Sequence, residues 1–369
     1  MKKEKLTARQ TITLLTMFFF GSTGVLGVNT DVGQDSWLAF LMAAAIAFPF
    51  MLMYSRLCRL YPDKSFFELA ESLLGKVGGK IVVALLTWYC LHLCSLVMRN
   101  FSEYIQVCTM PETPQLPVML FMMLGVVYLV KSGVETMGKW SVLMLPLIVA
   151  VVILTVLFAL NRMDFSRLLP IARHDLGSMA NSAYYSVMFP YLEIIVFVCA
   201  FSGSSETEKP YKPYIAAFFV ATALMLTITL RDTMILGAHV LDALNFPSYV
   251  AVKIIQIGEV ISRIEGSISM NYILSGIAKC SVCLLAAAKG IAYLFGLREH
   301  KQFLFPLGLL VVALSTIVFD NLIQMFEFIQ VYNVYSVPFS IIIPVLIWIL
   351  AEFKHRKESK AQTPANTQA

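Results

Sequence analysis

The chain has 369 residues, 58% of them hydrophobic and only 14% charged, with a mean hydropathy of +0.75 and a formal net charge of +5. Soluble domains are close to half apolar and a quarter charged, so this composition excludes an ordinary soluble protein and indicates an integral membrane one. The positive charge follows from topology, as set out below, and gives no reason to expect a nucleic-acid partner.

Windows of about 20 apolar residues mark ten spans, at about 11–30, 36–55, 78–101, 116–131, 140–160, 181–201, 213–231, 266–288, 303–319 and 333–352. The first has no small-residue cleavage site behind it and is expected to remain as an anchor. It carries Gly21-Ser22-Thr23-Gly24-Val25-Leu26-Gly27, poor material for an unbroken helix, so an interruption is expected there. Close packing against another helix is the alternative use of the same glycines. Between the second and third spans, 65–74 is too short and polar to cross and reads as an interfacial helix. The sixth span carries Phe189-Pro190-Tyr191-Leu192-Glu193, a proline followed by a carboxylate, and is the second expected interruption. Beyond the seventh, 246–263 is amphipathic, with Val250, Ile254, Ile257 and Ile261 on one helical face, and is expected to lie along the membrane surface. The tail, 354–369, is polar, contains Pro364 and is expected to be disordered.

Ten spans leave both termini on one side. Of the 28 Lys and Arg, 20 fall in segments on that side and seven on the other, with Lys279 inside a span; the bias predicts cytoplasmic termini. Split after the fifth span, the chain gives halves of about 10–160 and 181–352, each opening on an interrupted helix. An odd number of spans per half forces opposite orientations, the inverted repeat of many transporters. The expected fold is therefore all-α and membrane-embedded, a single domain over 1–353 with ten transmembrane helices arranged five plus five, helices 1 and 6 broken. Unbonded backbone in a bilayer is tolerated where it lines a cavity, so the paired interruptions point to a midplane binding site.

At the first interruption, free glycine amides with the Ser22 and Thr23 hydroxyls would suit a carboxylate at a half-helix N-terminus. At the second, Glu193 either meets a ligand or bonds the freed amides of its own helix, while Tyr184, Tyr185, Phe189 and Tyr191 could wall a pocket. Ser267, Asn271, Ser275 and Lys279 are spaced by four and form a polar stripe that should face the protein interior. The Lys279 ammonium, with Ser275 beside it, is a candidate for ion or proton coupling; snorkelling to the interface is the alternative. Arg99 and Glu103 read as a solvated or interfacial i,i+4 ion pair. The seven cysteines lie mostly in apolar runs and read as packing residues. There is no phosphate loop, HExxH or GxSxG, and no His, Cys and carboxylate cluster at metal spacing. No enzyme activity, metal or cofactor is expected.

Short motifs in a fixed order then carry a family likeness: Leu6-Thr7-Ala8-Arg9-Gln10, Asp35-Ser36-Trp37, Gly133-Val134-Glu135, and Asp164-Phe165-Ser166-Arg167-Leu168-Leu169-Pro170. The most specific stretch runs from Phe246-Pro247-Ser248-Tyr249 through Ile257-Gly258-Glu259 to Arg263-Ile264-Glu265. Over about 6–353 the chain resembles the endospore germination permeases, the B subunits of nutrient germinant receptors, within the amino acid–polyamine–organocation superfamily. Tyr191-Leu192-Glu193 is similar to the Gly-Phe-Glu that follows the gap in the sixth helix of related permeases. The resemblance implies a LeuT-type fold in the inner spore membrane and partner A and C subunits. It further implies a transporter-like body that senses a small nutrient, typically an amino acid, and triggers germination. On that reading Ser22, Thr23, Gly24 and Val25 would contact a carboxylate-like end, and Tyr184, Tyr191 and Glu193 the rest. The competing expectation is a proton-coupled amino-acid permease with Lys279 or Glu193 as proton carrier.

Overall fold

The computed structural model describes residues 5–203, 210–254, 265–297 and 299–362, and among these every regular element is helical. Helix α1, Ala8–Leu26, starts on a capping box in which Thr7 Oγ1 accepts the Gln10 amide at 3.3 Å and Gln10 Oε1 accepts the Thr7 amide at 3.0 Å. Such a cap contributes about 1 kcal/mol. The helix then runs unbroken through Gly21 and Gly24 and stops at Gly27, whose φ of +80° a right-handed helix does not accommodate. The interruption expected in this span is thus absent. The glycines serve close approach instead: a Cβ on Gly21 would stand 2.9 Å from Lys279 Cδ, and one on Gly24 3.3 Å from the Tyr272 ring.

Helix α2, Ser36–Leu60, returns across the molecule, and α3, Phe66–Tyr104, crosses again after a bend at Gly75, where φ is +75°. The short arm before that bend covers most of the segment expected at the interface. Helices α4, Gln115–Lys131, and α5, Val134–Ala159, complete the first half of the chain. Helix α6, Leu176–Met188, is capped by Asp175, whose carboxyl the Ser178 hydroxyl and amide hold below the ordinary carboxylate range. It ends before Pro190, Phe189 is extended, Tyr191–Glu193 forms one tight turn, and α7, Ile194–Phe201, resumes the path. Proline removes a helical donor and restricts the residue before it, which is why the helix stops here.

The chain continues through α8, Tyr211–Leu236, the short α9, Ala238–Ala243, and α10, Pro247–Lys253. Of the amphipathic segment expected at 246–263, residues 255–264 lie outside the described residues. Helices α11, Glu265–Leu294, α12, Leu304–Ile317, and α13, Leu322–Tyr335, follow. A π turn at Pro338–Ile342 leads to α14, Ile343–Gln362. The last apolar stretch therefore begins earlier than expected. The tail expected to be disordered is helical through Gln362, because Lys354, Lys357 and Glu358 are good helix formers continuing an existing helix, with cations at its C-terminal end. Among the described residues seven helical segments are long and apolar enough to cross a membrane, and two shorter apolar helices, Gln115–Lys131 and Lys301–Ile317, accompany them.

Helix α11 is the hub, packed against α1, α3, α4, α5 and α7. It lies tightly on α3 because Gly276 and Gly290 have no side chains: a Cβ at either would meet Phe101 at 2.7 Å or Thr87 Oγ1 at 2.0 Å. The two ends of the bundle are tied differently. At the loop end Asp35, fully buried, accepts the amides of Ala172, Arg173 and His174 at 2.8, 2.9 and 3.2 Å and faces His174 Nδ1 at 3.0 Å. The same connection is anchored on α8, where the Asp164 amide donates to the Met234 carbonyl at 3.1 Å and Arg167 to that of Ile235. At the other end, Arg56 pairs with Glu352 at 2.7 Å and the Phe66 amide donates to Ser202 Oγ at 2.6 Å.

Candidate functional site

Glu193 and Lys279, 86 positions apart in the chain, meet at the centre of the molecule. Lys279 Nζ donates to Glu193 Oε2 at 2.5 Å, and neither side chain has any exposed surface. The interruption between α6 and α7 brings the carboxylate here: Glu193 makes no capping bond to its own helix, which decides against its expected structural alternative. Its second oxygen accepts the Tyr332 hydroxyl at 2.6 Å. A hydroxyl carries one proton, so Tyr89, 2.9 Å from Tyr332, must donate to it, and Ser340, 3.2 Å from Tyr89, must donate in turn. Three hydroxyl protons point in series at one carboxylate. The ammonium lies against the faces of Phe18 and Phe189, at 5.4 and 5.0 Å from the ring centroids. Its stem runs past α1 at Gly21, the one residue type that leaves room for it.

Beside Tyr332 lies a cavity of about 30 Å³, enough for one or two waters, among α1, α3, α13 and the interruption. Ser22, Asn100 and Tyr332 supply its polar atoms, and Leu26, Val97, Phe189 and Phe328 much of its apolar wall. The Ser22 hydroxyl is fully buried and has no hydrogen-bond partner among the described residues, an uncommon state for a buried polar group. Of the expected site residues, the structure thus brings Ser22, Glu193 and Lys279 to one place.

The others go elsewhere. Thr23 donates to its own helix at Phe19, 3.4 Å away, and with Gly24 faces a cavity of about 20 Å³ toward Thr229 and Asp232. Because α1 is continuous, its amides there are bonded within the helix, so the expected anion cradle does not form; α1 ends in this region, presenting carbonyls rather than amides. The side chain of Val25 lies outside the described residues. Tyr191 turns the other way, stacking on Phe40 at 5.5 Å and bonding Thr222 Oγ1 at 2.8 Å. Tyr184 donates to the Asn333 carbonyl at 3.1 Å. Ser275 donates back to Asn271 at 2.8 Å and does not reach Lys279. The polar stripe does face inward: Asn271, Ser275 and Lys279 are all buried.

Sequence reading missed Tyr332, Tyr89 and Asn100. The signal for Tyr332 is present as Gln330, Tyr332 and Asn333 in an apolar stretch, but Tyr332 lies one residue before the tenth expected span, 333–352. Arg99 and Glu103 are buried rather than solvated, paired at 2.7 Å with Arg99 also donating to the Ser315 carbonyl at 3.2 Å. A further buried knot joins Arg231 to Asp232 and to Thr155 Oγ1, both at 2.7 Å. Among the described residues no three His, Cys, Asp or Glu side chains gather into a metal-binding group.

A family model described as "Spore germination protein" matches residues 5–322. Spore germination protein KB of Bacillus subtilis (strain 168) is 22% identical over 367 residues, covering 98% of both chains. Putative spore germination protein YfkT of the same organism is 22% identical, over 93% of this chain and 97% of its own. Among solved structures, MhsT in complex with L-phenylalanine superposes with a TM-score of 0.64 at 12% identity, covering 94% of this chain and 89% of that one. Mhp1, a nucleobase-cation-symport-1 family transporter in a closed conformation with bromovinylhydantoin bound, gives 0.61 at 13% identity, covering 93% and 78%. The fold is that of LeuT-type transporters.

Proposed function

The chain belongs to the family of spore germination proteins, a multi-pass membrane family with a transporter-like fold rather than an enzyme's, and on that premise we propose that it is the nutrient-binding membrane subunit of a germinant receptor. In this reading ten helices cross the inner spore membrane, five plus five in inverted repeat, with both termini cytoplasmic. A small nutrient, an amino acid or similar, binds at the midplane beside the α6–α7 interruption, and receptor A and C subunits read the result. The observation that carries the proposal is the buried Ser22 hydroxyl, without a partner among the described residues and facing a cavity whose wall includes Tyr332, the residue bound to Glu193. A ligand's polar end satisfies Ser22, and its apolar part packs on the surrounding aliphatic and aromatic side chains.

At about 30 Å³ the cavity is smaller than any amino acid, so binding requires Phe189 and Phe328 to move apart. A ligand that prefers the widened form shifts the population toward it. The widening pulls on Tyr332, and through it on Glu193, Lys279 and α1. That linkage connects occupancy to helix positions that partner subunits can sense.

A second reading, a proton-coupled amino-acid permease, draws support from the same ion pair and its hydroxyl series. The test is equilibrium binding of labelled amino acids to the purified chain, with counterflow in proteoliposomes alongside. Saturable binding of at least one amino acid is expected, weakened by Ser22→Leu, without counterflow. An absence of binding across the panel, with Ser22→Leu spores still responding to nutrient, would overturn the proposal. Robust counterflow without partner subunits would replace it with the permease.

A further inference from the structure

A second cavity, of about 290 Å³, lies at the loop end of the bundle, in the size range of small-ligand sites. Leu26, Phe189 and Ile329 line both this cavity and the inner one beside Tyr332. Among the described residues its polar side chains are amides, the hydroxyls of Thr30 and Tyr185, and the carboxylates of Asp31 and Asp242, with no Lys, Arg or His. Asn333 is the informative member. It is 2% exposed, and its amide nitrogen donates to the Ile329 carbonyl at 2.9 Å, which fixes the orientation of the amide. The remaining atom, Oδ1, is an acceptor with no partner among the described residues.

The surroundings favour a cationic donor for it. Asn29 Nδ2 donates to Asp31 Oδ2 at 3.1 Å and Asn29 Oδ1 accepts the Asp31 amide at 3.1 Å, so the carboxylate is held at the rim. Asp242 makes no ion pair among the described residues. Helix α1 ends in the wall, at Leu26 and Gly27, and a helix C-terminus adds partial negative charge. An anion would meet two carboxylates and no counter-charge. A neutral polyol would satisfy Asn333 and leave the field unbalanced.

We propose that this cavity is an outer subsite that receives the primary ammonium group of a small nutrient, an amino acid or amine, before it passes Phe189 to the inner cavity. The onward passage rests on the proposed function; the subsite itself does not. The test uses the full-length chain in lipid nanodiscs with n-propylammonium and propionate as probes, titrated at fixed ionic strength and followed by saturation-transfer NMR. Expected are saturable binding of n-propylammonium and none of propionate. Asn333→Leu and Asp242→Asn should each weaken that binding tenfold or more, and Ser22→Leu, which fills the inner cavity, should leave it unchanged. Asp242 is exposed, so its variant keeps the test intact if Asn333→Leu fails to fold. Binding lost in Ser22→Leu but unchanged in Asp242→Asn would overturn the subsite and leave the inner site standing. Binding of n-propylammonium as described, with no amino acid bound in the inner cavity, would uphold the subsite and remove the proposed function. Equal displacement by sodium or potassium chloride would make it a plain cation site and overturn the ammonium assignment.

Discussion

The Glu193–Lys279 contact is a fully buried ion pair, and such pairs are weak contributors to stability but costly to halve. Breaking one by removing a single partner leaves an uncompensated charge and costs about 3–5 kcal/mol, whereas replacing both by apolar groups is often neutral. Lys279→Met is therefore expected to lower the thermal midpoint of the detergent-solubilised protein sharply. Lys279→Met combined with Glu193→Leu should recover most of the loss. Equal midpoints for Lys279→Met and the parent would show that the pair is not formed in solution. Both residues were legible as outliers, since a charged side chain inside an apolar span is expensive wherever it sits. Their pairing was not, because helix rotation and the packing of α7 on α11 decide it, and neither is written in local composition. Ser275 shows the converse: it sits on the right face, yet its hydroxyl is taken up by its own helix.

Helices of this chain are placed by small residues as much as by apolar ones. Gly276 and Gly290 are fourteen apart, four turns, and so share the face that α11 lays on α3. Gly290→Ala would force Cβ into Thr87, whose Oγ1 and Cβ stand 2.0 and 3.0 Å from that position. Overpacking of this kind costs about 1–3 kcal/mol, and the expected result is a lower thermal midpoint that Gly290→Ala with Thr87→Ala restores in part. An unchanged midpoint in Gly290→Ala would mean that α3 and α11 are farther apart. The same property explains why one of the two expected interruptions forms and the other does not. Pro190 cannot continue a helix, so the end of α6 follows from chemistry alone. Gly21 and Gly24 permit both an unwound segment and a close helix contact, and only the position of Lys279 and Tyr272 chooses between them. The motifs at Thr7, Asp35 and Asp164 act as caps and ties.

At the scale of the whole molecule, the segment joining the two halves of the chain is strapped down at both edges, on Asp35 and on the end of α8. Asp35 satisfies three backbone amides that otherwise have no acceptor, and each such charge-assisted bond is worth about 1.5–3 kcal/mol. Asp35→Ala is expected to free residues 172–174, seen as faster hydrogen exchange confined to that segment together with a lower thermal midpoint. Exchange rates matching the parent's would show that the strap holds without the carboxylate. The packing of Lys279 against Gly21 also bears on how such a body can move. Phe20 and Ser22 flank the glycine, and either side chain would strike the lysine stem if α1 rolled about its own axis. The lysine acts as a key in a slot: it forbids roll and leaves tilt free. Any conformational cycle this protein undergoes must then be one in which its first helix leans.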